Sequence, residues 1–288
     1  MSTKTAAKTF EIRPLGDYSL EESANFIGAW HKAPSEGGVV QGHLHLAFLT
    51  DGDWEPVGVC LTQDAAGSIH GTVYGDANAE TVERQVSRIL SLDVDGRGWP
   101  DVGTRDPVVA RLQRMFGGFR PVNWSNAYEA TAWCLISSRI TMRQGQGIKH
   151  RMSRELGREI DVHGETLWVF PEPSRLIELK AFAGLFGRKV EYLNALGRAA
   201  LAGDLDTEML RALPRDESLA KLVNGSCRRR RRRSAADRRR PTFGMGASVP
   251  PAPQPSPGPA PERVRTRRES LRTIAALWSA ARPPRSAL

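Results

Sequence analysis

Apolar and polar residues alternate in short runs through the first third of the chain. Phe10 to Leu15 alternates as a strand does, and Asp17 to Trp30, with Leu20, Ala24, Phe26 and Ile27 apolar, reads as a short helix. Gly42 to Thr50 sets His43, His45 and Ala47 against Leu44, Leu46 and Phe48, the period-two pattern of a half-buried strand. Pro56 to Leu61 and Ser68 to Tyr74 supply further strands, bounded by the turn-rich runs Thr50–Asp53 and Asp64–Gly67. A helix over Ala79 to Leu92 carries Val82, Val86, Ile89 and Leu90 on one face. Short strands in sequence, with flanking helices, predict an antiparallel sheet covered on one face.

The period changes after the Gly/Pro-rich link Gly96–Gly103. Asp106 to Phe116 is predicted helical, and Ala130 to Ile136 is apolar except for Thr131, as expected of a central helix buried on several sides. Ser137, Ser138 and Arg139 form a polar elbow before a second helix that places Ile148, Met152 and Leu156 on one stripe. Thr141 with Gln144 fits a capping box at its start. Phe170-Pro171-Glu172-Pro173 breaks the chain, Val190 to Leu201 forms an amphipathic helix ended at Gly203, and Asp216 to Val223 begins another. The expected architecture is α+β. An antiparallel sheet domain with flanking helices spans residues 1–104, an all-α bundle 105–224, and an Arg/Pro-rich, largely disordered tail 225–288.

Composition changes this picture in one respect. The net charge of +9 suggests a nucleic-acid binder, but of the 41 Lys and Arg, 16 lie from Gly225 onward, where only three of the 32 acidic residues fall. Residues 1–224 therefore carry −4 and the tail +13. The folded part must bind nucleic acid through local patches, not an overall field. Cys60, Cys134 and Cys227 are far apart and odd in number, which argues against a disulfide framework and against zinc or iron–sulfur spacing. His43 and His45 could pair on a metal, but a third ligand is missing, and a solvent-facing strand edge is the simpler expectation. With no apolar amino-terminal or membrane-length stretch, the chain reads as cytoplasmic, nucleoid-associated and monomeric.

Asn126-Ala127-Tyr128-Glu129-Ala130, Ile136-Ser137-Ser138-Arg139-Ile140 and Met142-Arg143-Gln144 resemble the first bundle helices of the DNA-3-methyladenine glycosylase II family, of the helix–hairpin–helix glycosylase superfamily. The resemblance extends from about Phe10 to about Val223. It implies a base-excision DNA-repair enzyme that flips an alkylated purine from duplex DNA and hydrolyses its N-glycosidic bond. Aromatic faces suit the cationic ring of such a base, and a carboxylate stabilises the oxocarbenium-like sugar. The reaction implied needs no metal, cluster or other cofactor. Arg139 falls where the family inserts a wedge into the gap left by the base, with Ser138 beside it. Some members carry an apolar wedge there, and the alternative for Arg139 is a surface cation at a helix end. Phe26 or Tyr18 could line the base pocket; burial in the core is the competing expectation for each.

The family's hairpin and catalytic aspartate have no in-frame match. Asn224-Gly225 looks like the start of the Gly-x-Gly turn, but Ser226-Cys227 leads into Arg228–Arg233 and then a Pro/Ala/Ser-rich segment from Ser248 to Pro261. Asp237 is the nearest carboxylate, set among arginines, and is the weakest of candidates. Two origins of the tail compete: a basic arm that neutralises phosphates, and a reading-frame shift in a GC-rich gene. The abrupt end of the motif in mid-element favours the shift, and with it the alternative of an impaired or inactive paralogue that retains only DNA binding. Because the tail carries the whole positive excess, deleting residues 225–288 is expected to remove most of the salt dependence of DNA binding. A filter-binding series in increasing salt checks this, and a full slope in the truncated protein would place the binding surface in the folded part.

Overall fold

The computed structural model describes residues 8–30, 37–40 and 42–225. Strand β1 (Lys8–Ile12), helix α1 (Leu20–Trp30) and strands β2 (Gly37–Val40), β3 (His43–Leu49), β4 (Pro56–Gln63) and β5 (Ile69–Tyr74) open the chain. The strands form one antiparallel sheet in the order β1-β5-β4-β3-β2. Leu44, Leu46 and Phe48 of β3, with Val57, Val59 and Leu61 of β4, point to one face. There they meet Leu20, Ala24 and Ile27 of α1 and Val82, Val86 and Ile89 of α2 (Ala79–Ile89). Asn78 caps α2 by accepting from the backbone N–H groups of Glu80 and Thr81.

Two short helices, α3 (Trp99–Arg105) and α4 (Pro107–Met115), follow. The Gly/Pro-rich link is thus partly helical: Pro100 stands in the first turn of α3, where a missing N–H costs nothing. The segment beyond them is not all helix. Between α6 (Met142–Leu156) and α7 (Pro173–Glu178) lies a hairpin of β6 (Arg158–Val162) and β7 (Glu165–Val169). Its turn, His163-Gly164, has positive φ at both residues, 54° and 83°. That is the twist a two-residue hairpin requires.

The hairpin also corrects the expectation of a sheet covered on one face. Val162 and Leu167 are fully buried against Cys60, on the side of the sheet opposite α1 and α2. Gly58 allows this approach, since a Cβ there would lie 2.3 Å from Val162 Cγ2. His45 is consequently buried and not on a solvent-facing edge. A one-sided sheet reading fails here because the cover is a segment more than a hundred residues away in sequence.

Helix α5 (Ala127–Ser137) packs against α6 and α8 (Lys189–Leu201), and its Tyr128, Ala132 and Ile136 are completely buried. Helices α9 (Thr207–Ala212) and α10 (Arg215–Gly225) complete the described chain. Asn224 and Gly225 continue α10 and do not turn, so the expected Gly-x-Gly turn does not begin there. The tail, including Asp237, lies outside the described residues.

A buried guanidinium joins the sheet to the helices. Arg88 of α2 donates to Asp51 (2.6 Å) in the β3–β4 turn, to the Ser125 carbonyl (2.7 Å) just before α5, and to Glu208 (2.9 Å) of α9. Thr207 ties α9 to the same Asp51 carboxylate at 3.1 Å. Gln85, one turn back on α2, donates to the carbonyls of Leu49 (2.9 Å) and Ser125 (3.1 Å). Replacing Arg88 by Ala strands Asp51 in a water-poor seam, and a loss of about 3–5 kcal/mol in unfolding free energy is expected. Urea denaturation measures this; a loss under about 1 kcal/mol, the range of a solvated ion pair, would show that water compensates Asp51.

Candidate functional site

The α5–α6 hairpin presents its ends differently. At the far end of α5, the helix stops at Ser138, whose hydroxyl donates back to the Leu135 carbonyl at 2.9 Å. Arg139 follows with φ of 59° and an exposed side chain. A residue with a Cβ is uncommon in this left-handed region, and its strain is sustained only where both flanking segments are held. Here both are. The capping box places the Thr141 hydroxyl on the Gln144 N–H (3.3 Å) and the Gln144 side chain on the Thr141 N–H (3.0 Å). Gly145 lets α6 close on α5: an added Cβ would stand 3.1 Å from Ser137 Cβ and 3.2 Å from Trp133. The result is a stiff corner from which the Arg139 guanidinium projects.

Other groups gather at this end. Lys189, at the start of α8, donates to the Ile136 carbonyl at 2.7 Å, satisfying an orphan acceptor at the carboxyl terminus of α5. Burial pulls its ammonium pKa below the usual lysine value. Met142 and Phe186 are exposed apolar side chains in the segments that enter α6 and α8. Arg139, Arg143 and Lys189 thus make this corner locally basic, within a folded part whose net charge is −4.

The opposite end of the hairpin borders a small cleft of about 90 Å³ where the sheet meets the helices, walled by Trp124, Trp168, Phe170 and Phe48. Inside it, Lys149 forms a buried salt bridge with Glu129 at 3.0 Å, and the Ser125 hydroxyl donates to the second carboxylate oxygen. The Lys149 ammonium stands 6.0 Å from the centre of the Trp124 ring and 5.7 Å from that of Phe170, within cation–π range. A flat ligand would have to displace this ammonium to stack on either ring. The cleft is also remote from Arg139: at 1.5 Å rise per residue, the ten residues from Glu129 to Arg139 span roughly 15 Å. The aromatic cleft and the elbow are separate features.

The residues proposed for the base pocket fall elsewhere. Tyr18 is half-buried at the edge of the sheet core, with the Arg120 guanidinium 5.8 Å from its ring centre and its hydroxyl pushed up to about 12 by burial. Phe26 is neither in the cleft nor in the core; it lies exposed on α1, 5.5 Å from the Phe119 ring. Its neighbour Ile27 lines the cleft instead. His43 and His45 are joined by Cys60 and His163, which supply the third and fourth potential ligands that sequence reading lacks.

No protein-family model matches the chain, and no curated protein matches it. Solved structures do. The 3-methyladenine DNA-glycosylase from Archaeoglobus fulgidus superposes with a TM-score of 0.60 at 18% identity, covering 75% of this chain and 73% of that one. The chain shares its fold with that protein. MBOgg1, in complex with a low-affinity DNA ligand, matches with a TM-score of 0.53 at 15% identity, over 77% and 75% of the two chains. The Clostridium acetobutylicum 8-oxoguanine glycosylase/lyase in its apo form gives 0.52 at 17%, over 76% and 74%.

The Glu129–Lys149 pair gives a direct check on the cleft. Lys149→Met is expected to destabilise by about 3 kcal/mol, because the half-buried Glu129 loses its counter-charge. Adding Glu129→Gln should recover part of this, with a coupling of about 1–3 kcal/mol in a double-mutant cycle by thermal melting. Additive effects would mean that the two charges are solvated independently.

Proposed function

We propose that this chain is a base-excision DNA glycosylase acting on alkylated purines in duplex DNA, and that the α5–α6 elbow is its contact with the lesion. Arg139 enters the stack where the damaged base leaves, and Ser138 flanks it. The observation that carries this reading is the strained, exposed Arg139 at the corner of a buried helical hairpin, in a fold similar to three solved DNA glycosylases.

The chemistry follows from the lesion. Methylation at a purine ring nitrogen leaves a cationic base whose N-glycosidic bond is already weakened. Catalysis then asks for a flipped base, a carboxylate near the sugar, and a water molecule. Flipping costs a few kcal/mol of lost stacking, and a rigid group filling the vacancy lowers the tendency of the base to return. A corner held by a capping box and by the close approach at Gly145 supplies that rigidity. The carboxylate is not assigned among the described residues: Glu129 is committed to Lys149 and Ser125 and stands a helix length away from the elbow.

Single-turnover release of 3-methyladenine from methylated duplex DNA tests the proposal. Arg139→Ala should lower the rate by about ten- to a hundredfold while leaving the melting temperature unchanged, since the side chain is exposed. Release by the wild-type chain no faster than from DNA alone would remove the glycosylase reading and leave a DNA-binding protein.

A further inference from the structure

On the face of the sheet away from α1 and α2, four side chains converge from two strands and a turn. His43 and His45 stand two residues apart on β3 and so share a face, Cys60 is the register partner of His45 on β4, and His163 opens the β6–β7 turn. One nitrogen or sulfur from each lies within 4.8 Å of all the others. Cys60 Sγ is 3.3 Å from His43 Nδ1 and 3.7 Å from His163 Nδ1. A tetrahedral zinc ion with nitrogen at about 2.0–2.1 Å and sulfur at about 2.3 Å holds its donors about 3.3–3.7 Å apart, so two of these separations already fit.

His45 decides the matter. It is buried, and its Nδ1 is bonded to Glu165 Oε2 at 2.7 Å, while its Nε2 has no partner among the described residues. A buried polar nitrogen without a partner costs on the order of 1–3 kcal/mol. A carboxylate on one imidazole nitrogen with the other left open is the arrangement of a metal-bound histidine: the carboxylate fixes the tautomer and strengthens the donor. His163 adds to this. It occupies the first place of a two-residue turn, with φ of 54°, where Asn or Asp is the usual choice. Its ring stacks on that of His43 with centroids 5.1 Å apart.

We propose that His43, His45, Cys60 and His163 bind a divalent metal of the zinc class, with Glu165 as the orienting carboxylate of His45. Three imidazoles and a thiolate select a borderline-soft ion over magnesium or calcium, and four protein donors close the coordination shell, which makes the site structural. The ion would fasten the β6–β7 hairpin to the sheet. β7 carries Trp168 and leads directly into Phe170 and Pro171, and the Pro171 carbonyl accepts from the buried Tyr128 hydroxyl at 2.8 Å, so the fastening reaches the central helix. This inference is independent of the catalytic proposal.

The test uses the full chain without a histidine tag. After chelation, zinc loading and dialysis, elemental analysis should find about one zinc per chain, and the melting temperature should rise by about 5–10 °C at a hundredfold excess over Kd. Cobalt loading should give a thiolate-to-metal charge-transfer band that Cys60→Ser abolishes. His163→Ala, on an exposed turn that does not contribute to the core, should fold normally and lose stoichiometric zinc, and Glu165→Gln should weaken binding by about 10- to 100-fold. The proposal is overturned if the wild-type chain retains less than about a tenth of an equivalent of zinc. It is equally overturned if Cys60→Ser and His163→Ala bind zinc as the wild type does.

Discussion

The Arg88 guanidinium is the point on which the joining of sheet and helices depends. An isolated buried cation would be prohibitive, and its presence in the seam is possible only because each neighbouring element offers it an acceptor. The β3–β4 turn supplies Asp51, the segment just before α5 supplies the Ser125 carbonyl, and α9 supplies Glu208. None of these elements can rotate without leaving charge unpaired in a poorly hydrated place. The starting point of α5 is therefore set by polar contacts: Asn126 caps the helix and also donates to the Leu49 carbonyl at 3.1 Å.

A fixed start for α5 is what makes the strained corner at its other end affordable. The helix is buried almost throughout, so it cannot slide to relieve Arg139, and Gly145 brings α6 too close for the corner to open. Strain at one exposed residue is then balanced by packing elsewhere, which is the usual setting of functional backbone outliers. A second buried cation works in the same way: Arg120 gathers the carbonyls of Leu15, Gly16, Asp17, Ser91 and Val94, and so holds the chain between β1 and α1 against the segment after α2.

The face of the sheet beneath the β6–β7 hairpin has a different character. The α1–α2 face is closed by a large apolar core that includes Phe10 and Phe48, whereas the hairpin face carries the small buried cluster of Cys60, Val162 and Leu167, with Ala47, Tyr74 and Ile160 packed against it. So small a cluster holds a two-stranded ribbon weakly, because an isolated hairpin is at best marginal in water. Polar and metal-type contacts among His43, His45, Cys60 and His163 lie where apolar area is scarce.

Much of the local order was legible in the residues themselves. Alternation at His43–Leu49 and at Pro56–Leu61, the apolar stripe of α2, the capping box at Thr141 and the buried character of α5 all follow from patterns within a few turns of chain. These properties belong to segments, and local sterics with the nearest side chains determine them. The docking of the 158–169 hairpin on the sheet, the burial of His45 and Arg88, and the meeting of His163 with Cys60 were not legible. Each needs residues roughly forty to a hundred and twenty positions apart to meet, and single-sequence patterning carries no information on which distant face will cover which. The sequence by itself determined what each segment could become; the tertiary structure decided which polar groups would be buried, because burial depends on the neighbour and not on the residue.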